Sequence, residues 1–188
     1  MTLLKFGFYL HEGIEVLDFS GPMEVFSQAG YALYTFAVSQ KTITSQGVLD
    51  IIPRYTLDTL PPMDWLCFFG GNSQAASQNP QLLHWLAQQK PSQQYFSVCT
   101  GAYILARAGL LNGKEATTFA PYLADLQDKF PAIAVVDRRF VDTGSLITSA
   151  GVAAGIDAAL HLVARLEGHT RAAEIAAYMA YPYSKSQF

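Results

Sequence analysis

Apolar and polar positions along this chain alternate between short continuous runs and helical stripes. Leu3 to Leu10 is apolar but for Lys5 and predicts a first buried strand. His11-Glu12-Gly13 then opens a loop. Ser20-Gly21-Pro22 predicts the start of a helix running to about Gln28, with Ser20 as N-cap and Pro22 in the first turn, where a missing N–H costs nothing. Gly30 closes it. Tyr31 to Ser39 and Val48 to Ile52 predict further strands, the second stopped by Pro53. Trp65-Leu66-Cys67-Phe68-Phe69 is unbroken apolar sequence, as in a central strand buried on both faces. Gly70-Gly71-Asn72-Ser73 follows it, and a helix is expected from about Pro80 to Gln89. Tyr95 to Val98 is another short apolar run. It meets Cys99, and Gly101 to Leu111 then carries apolar residues at helical spacing.

A short strand at Ala116 to Thr118 leads to a helix near Pro121 to Lys129. Ile133 to Val141 and Ser145 to Thr148 read as strands joined by the turn residues Asp142-Thr143-Gly144. Ser149-Ala150-Gly151 opens a long helix, Val152 to Leu166, stopped by Gly168. A last helix, about Thr170 to Tyr178, precedes Tyr181-Pro182-Tyr183. No repeat, linker or low-complexity tract interrupts the pattern. Strand and helix alternate through most of the chain. The fold class expected is α/β: a flavodoxin-like, doubly wound, mostly parallel sheet with helices on both faces and one added hairpin.

Length and composition narrow the picture. The 188 residues suit one domain, spanning 1–188, with a substantial core. Hydrophobic residues make up 51% and charged residues 14%, which argues against disorder. A net charge of −3 and no Lys/Arg cluster argue against nucleic acid as a partner; Arg138-Arg139 is the densest basic spot and reads as solvated. Two cysteines, Cys67 and Cys99, make no disulfide framework and no zinc motif. Neither a secretory signal nor a membrane-spanning run is evident, so a cytoplasmic protein with no membrane partner is expected.

The candidate chemistry gathers where strands meet helices, the edge at which open α/β sheets bind ligands. Cys99 falls at the strand-to-helix elbow. The first amides of the following helix would lower its pKa, and a nucleophile is displayed this way in several α/β enzymes. The competing reading is a buried core cysteine. Asp18, the pair Gly70-Gly71, Thr100 and Ser149 reach the same edge, supplying a carboxylate and amides open to close approach. Asp18 has an alternative as an ordinary loop acid. Glu24 is expected in solvent and Cys67 in inert core. His11 is expected as a solvated loop residue, and His84, His161 and His169 on the surface.

These residues also resemble a known family. Leu17-Asp18-Phe19-Ser20-Gly21-Pro22-Met23-Glu24-Val25-Phe26, Val98-Cys99-Thr100-Gly101-Ala102, Ala108 to Lys114 with Ala116-Thr117-Thr118, and Ile147 to Asp157 are similar, in order, to motifs of the ThiJ/PfpI superfamily, a class I glutamine amidotransferase-like group. The likeness spans essentially the whole chain. It is nearest to isonitrile hydratases and to the amino-terminal domains of certain AraC-type regulators. The resemblance implies Cys99 as nucleophile, Asp18 beside it handling protons, the amides of Gly71 and Thr100 as anion hole, and no cofactor or metal. It also implies a homodimer acting on a small molecule. Two departures matter. Thr100 stands where the peptidase branch has histidine, which removes a Cys-His dyad and makes proteolysis unexpected. Phe119-Ala120 stands where the hydratase branch has His-Trp, so Phe119 is expected to reshape the pocket wall. Isonitrile hydration is the specific expectation. A thiol-based sensor without a DNA-binding module and detoxification of 2-oxoaldehydes stand as alternatives.

Overall fold

The computed structural model describes residues 3–183. The chain enters on β1 (Lys5–Tyr9), passes through α1 (Val16–Gln28) and returns along β2 (Ala32–Ala37). A small excursion follows: β3 (Ile43–Ser45), β4 (Leu49–Ile51) and the edge strand β5 (Tyr55–Thr56). Next come β6 (Trp65–Phe68), the single turn α2 (Ser73–Ala76) and α3 (Pro80–Ala87). The elbow region is β7 (Gln94–Val98), a 3₁₀ turn at Cys99–Gly101 and α4 (Ala102–Arg107). The remainder is β8 (Glu115–Ala116), α5 (Leu123–Lys129), β9 (Ala134–Val135), β10 (Phe140–Asp142), β11 (Leu146–Ser149), α6 (Ala154–Glu167) and α7 (His169–Tyr178).

Seven strands form the main sheet in the order β10-β11-β7-β6-β1-β2-β5, parallel throughout except for the β10–β11 pair. Strand order reverses between β1 and β6: the chain first steps outward to β2 and later returns to build β6, β7 and β11 on the other side. Crevices at such a switch point are where α/β sheets hold ligands.

Period-two alternation splits the core into two halves. Phe6 and Phe8 of β1, Trp65 and Cys67 of β6, and Phe96 and Val98 of β7 face α1, α6 and α7. Tyr9, Leu66, Phe68 and Tyr95 face α3, α4 and α5 on the other side. The ring of Phe6 stacks on Phe26 at 4.4 Å, and Phe26 meets Phe96 edge-on at 5.6 Å. These contacts tie α1 to β1 and β7, on either side of β6. Helices therefore cover both faces, as the alternation predicts. The hairpin Asp142-Thr143-Gly144 is also present, with Gly144 N–H donating to Asp142 Oδ1 at 2.7 Å.

Three expectations need correction, and one strand is set apart from the main sheet. Ser20 is not an N-cap: α1 begins at Val16 and holds Pro22 in its interior. Its start is set by tertiary ties, because Glu15 N–H donates to Gly70 O at 3.1 Å and Ile14 bridges Gly71. Those ties outrank the local capping signal. The run Val48 to Ile52 does hold a strand, β4, but in a separate two-stranded sheet with β3, and Val48 and Ile52 stay exposed. The expected strand Ile133 to Val141 is two pieces, β9 pairing with β8 and β10 with β11. The helices after Cys99 and Ser149 start later than predicted, at Ala102 and Ala154, because the backbone at both junctions first turns through a left-handed residue.

Candidate active site

Asp18 lies in the first turn of α1, and its side chain is completely buried. Gly70 N–H donates to its Oδ2 at 2.9 Å and Val152 N–H to its Oδ1 at 3.1 Å. One carboxylate thus joins α1 to the ends of β6 and β11. Cys99 follows β7 with φ +58°, a left-handed conformation costly for any residue with a Cβ. It is held there from both sides: its N–H donates to Ala150 O at 3.1 Å, and Thr118 Oγ1 donates to its carbonyl at 2.8 Å. The elbow aims Sγ at Asp18, to which it hydrogen-bonds.

Gly70 makes this meeting possible. A Cβ there would lie 2.6 Å from Asp18 Oδ2 and 2.8 Å from Cys99 Sγ, so any larger residue displaces the pair. Gly71, at φ +91°, sits against the α1 entry, where a Cβ would fall 2.1 Å from Gly13 O. The bonds Asn72 N–H to Gly13 O and Glu15 N–H to Gly70 O bracket it. Its carbonyl turns toward Thr100, whose hydroxyl donates to it at 3.5 Å.

The electrostatics differ from the sequence expectation in one respect. Burial raises the Asp18 carboxyl to about 6; the Gly70 and Val152 amides pull it down, and the charge of Glu15 pushes it further up. Burial also raises the Cys99 thiol, to about 12, with the Asp18 charge adding to the rise. The amide and hydroxyl of Thr100 oppose this without prevailing. A lowered thiol pKa is therefore not what this geometry produces. The helix behind Cys99 opens as a 3₁₀ turn and continues for only six residues, so its dipole is small. Desolvation and a neighbouring carboxylate outweigh it. Two acids here share one buried proton and titrate as a unit.

A cavity of about 350 Å³ opens over the pair. Glu15, Gly71, Cys99, Thr100, Phe119 and Tyr122 are on its wall. The structure thus brings Cys99, Gly71, Thr100 and Phe119 together, with Asp18 directly beneath. The Phe119 ring packs over Gly151, where it would collide with any side chain. Gly70 contributes differently from expected, its N–H being committed to Asp18. Ser149 is buried behind the elbow, its hydroxyl on Ala150 O at 3.2 Å, and does not reach the cavity wall.

Sequence reading missed several participants. Ser73 is fully buried, its hydroxyl 2.8 Å from Thr100 O and 2.7 Å from Thr100 Oγ1, which props Thr100 from behind. Glu15 and Tyr122 carried no signal beyond lying near a recognised motif. His11 also departs from expectation. It is buried, with Nε2 3.1 Å from Phe69 O and Nδ1 3.1 Å from Glu12 O, rather than solvated. His161 is partly buried against Asp142 at 2.8 Å. Arg139 pairs with the buried Asp157 instead of reaching only solvent. Cys67 is inert core as expected, fully enclosed with burial pushing its thiol well up.

A strained cysteine elbow over a buried acid, at the switch point of a doubly wound sheet, is what this α/β fold places at the carboxyl edge of its strands. Comparison with known proteins agrees on the fold. Residues 5–165 match the DJ-1/PfpI family, and the chain belongs to it. It is 36% identical over 168 residues to an isonitrile hydratase of Pseudomonas putida, covering 88% of this chain and 73% of that protein. It is 28% identical over 183 residues to the HTH-type transcriptional regulator GbdR of Pseudomonas aeruginosa, covering 93% of this chain but only half of the regulator. Among solved structures, a ThiJ/PfpI family protein from Pseudomonas syringae superposes with a TM-score of 0.88 at 32% identity, over 98% of this chain and 78% of that one. DJ-1beta of Drosophila melanogaster shares the fold, with a TM-score of 0.86 at 21% identity, over 97% of this chain and all of that one. Among the described residues, no helix is long and apolar enough to cross a membrane.

Proposed function

We propose that this protein is a cofactor-independent cysteine enzyme that hydrates a small isonitrile to an N-substituted formamide. The observation that carries the reading is the Asp18–Cys99 pair, a buried acid hydrogen-bonded to a thiol held on a strained elbow beneath an open cavity. The 36% identity to an isonitrile hydratase supports it.

Transfer of the thiol proton to Asp18 generates the nucleophile and the acid in one step, with no change in the charge of the pair. The Cys99 sulfur attacks the terminal carbon of R–N≡C, and the Asp18 proton goes to that same carbon, giving the thioimidate S–CH=N–R. Asp18, now a carboxylate, takes a proton from water as the hydroxyl adds to the carbon. The nitrogen receives that proton. Collapse of the S–CH(OH)–NH–R adduct forms C=O, breaks C–S and returns the hydroxyl proton to the pair, releasing HC(O)NHR. The raised carboxyl suits this work, since a group near 6 both gives and takes protons at neutral pH. The amides of Gly71 and Thr100 are assigned to the charge that develops on the adduct.

The match to half of a regulator favours a second reading, in which the same cavity binds a ligand without turning it over. The deciding experiment follows the isocyanide infrared band of aryl and alkyl isonitriles with purified protein, and identifies formamide by mass spectrometry. Turnover by the wild type and none by Cys99→Ala supports hydration. Absence of turnover across the series refutes it and leaves the binding reading.

A further inference from the structure

The charge of the cavity points to a restriction on what reaches Cys99. Glu15 stands at the N-cap position of α1 and is, among the described residues, the one carboxylate side chain on the wall; Gln46, Asn72 and Gln74 are neutral amides. No Lys, Arg or His of the described residues lines this cavity. Beneath it the Asp18–Cys99 pair keeps one negative charge in either of its proton arrangements above pH 6. Glu15 is close enough to act on that pair, because its charge raises Asp18. Part of the wall is aromatic. Phe119 and Tyr122 both line the cavity and are each more than a third exposed, with ring centroids 6.3 Å apart at 30°. Aromatic faces attract cations. Two negative charges and two aromatic rings around one cavity, with no wall cation among the described residues, make a potential that repels anions and favours a positive or dipolar group.

We infer that the site selects neutral or cationic electrophiles and excludes those bearing a carboxylate or sulfonate, with Glu15, Phe119 and Tyr122 as the residues that read the charge. On the hydration reading on which this rests, the substrate is an isonitrile whose tail is uncharged or carries an amine or quaternary ammonium. Anionic tails and 2-oxo acids are refused.

The test needs no turnover. Methanethiosulfonate reagents modify a thiol directly: the sulfur attacks the reagent's divalent sulfur, a disulfide forms, the S–SO₂ bond breaks and methanesulfinate leaves with the electron pair. The thiol proton is lost to Asp18 or water. Rates at Cys99 are measured with the 2-trimethylammonioethyl and 2-sulfonatoethyl reagents, each divided by its rate with free mercaptoethanol, and the labelled peptide is identified by mass spectrometry. The expected result is a normalised preference for the cation that falls on the order of tenfold in Glu15→Gln. The wild-type preference also collapses at 1 M salt, where screening acts within about 3 Å. Phe119→Leu slows the cationic reagent severalfold relative to neutral methyl methanethiosulfonate. Equal normalised rates for the two charges in the wild type, or a preference untouched by both Glu15→Gln and salt, overturns the inference. Failure to hydrate any isonitrile alongside an intact charge preference sinks the hydratase reading alone; hydration without charge preference sinks this one alone.

Discussion

Replacing Asp18 with asparagine changes one atom and two energies of opposite sign. A carboxyl raised from 3.8 to about 6 by folding corresponds to about 3 kcal/mol against the charged form. The folded state therefore binds the Asp18 proton more tightly than the unfolded chain does. Stability from this residue is fully present below pH 4, falls as pH rises from about 4 to about 6, and is absent above that. Asparagine never ionises, so it removes that pH dependence and, at pH 7, the roughly 3 kcal/mol cost of a buried charge. Against this, asparagine offers one oxygen where Asp18 accepts from two amides, Gly70 and Val152. Its NH₂ then faces a backbone N–H, leaving a buried donor unpaired at a cost of about 1–3 kcal/mol. The two changes nearly cancel at pH 7. At pH 4 only the loss remains, and the variant is less stable by about 1–3 kcal/mol. Urea unfolding of both proteins at half-unit steps from pH 4 to pH 8 gives the difference curve, in which titration of other carboxylates subtracts out. A difference that stays constant between pH 4 and pH 7 refutes the raised carboxyl and the proton-sharing argument built on it. The thiol supplies an independent readout. Both the Asp18 charge and its hydrogen bond hold the proton on sulfur, so Cys99 ionises at lower pH in the variant while turnover falls by at least about 10²-fold.

Gly70→Ala places a methyl within 2.8 Å of both Asp18 Oδ2 and Cys99 Sγ; it is expected to abolish turnover and cost about 1–3 kcal/mol in urea unfolding, and wild-type activity would contradict the geometry. Peptide mass spectrometry after iodoacetamide treatment of native protein at pH 8 should find label on Cys99 and none on Cys67, which reacts only once the chain is unfolded. Ser73→Ala releases the hydroxyl that props Thr100, so kcat should fall several-fold with the melting temperature little changed, and Ser73→Thr should restore part of it if the cavity admits the methyl. Phe26→Ala removes a ring that packs α1 onto β1 and β7 and should cost about 3–5 kcal/mol without altering the Cys99 titration.

The layers of this fold were legible because burial leaves a periodic trace. Trp65 to Phe68 reads as central strand since both faces are covered, and the alternation of Phe6 and Phe8 with Tyr9 assigns residues to the two halves of the core. Element starts were less legible. Ser20 and Pro22 compose a sound local capping signal, yet the helix begins at Val16 because Glu15 and Ile14 are tied to Gly70 and Gly71, more than fifty residues away. No local pattern encodes such a tie. Val48 to Ile52 is a strand as its composition suggests, but it pairs in a separate two-stranded hairpin where Val48, Leu49 and Ile52 are exposed while Ile51 packs on the core, a placement that composition alone does not encode.

Within the candidate site, which residues meet was legible and the energetics were not. Asp18, Cys99, Gly71 and Thr100 follow from motif and junction, since an elbow needs a short strand, a turn and small neighbours. The direction of the thiol pKa does not follow from them. It depends on how deeply Sγ is enclosed and on a carboxylate that arrives from α1, and both are properties of packing rather than of the Val98-Cys99-Thr100 neighbourhood. Strain was equally silent. Cys99 and Val152 both sit at positive φ, at roughly 1–3 kcal/mol each. Together with the buried charge of Asp18 they consume an appreciable share of the 5–15 kcal/mol that stabilises a typical domain. Such a cluster persists only where its surroundings fix it more firmly than the strain can release. Here β7, the Ala150 carbonyl and the Thr118 hydroxyl hold Cys99, and Asp18 holds Val152 through its own hydrogen bond. The carboxylate that carries the proton is thus also what keeps the second strained residue in place. Chemistry and architecture at this edge of the sheet are one set of bonds.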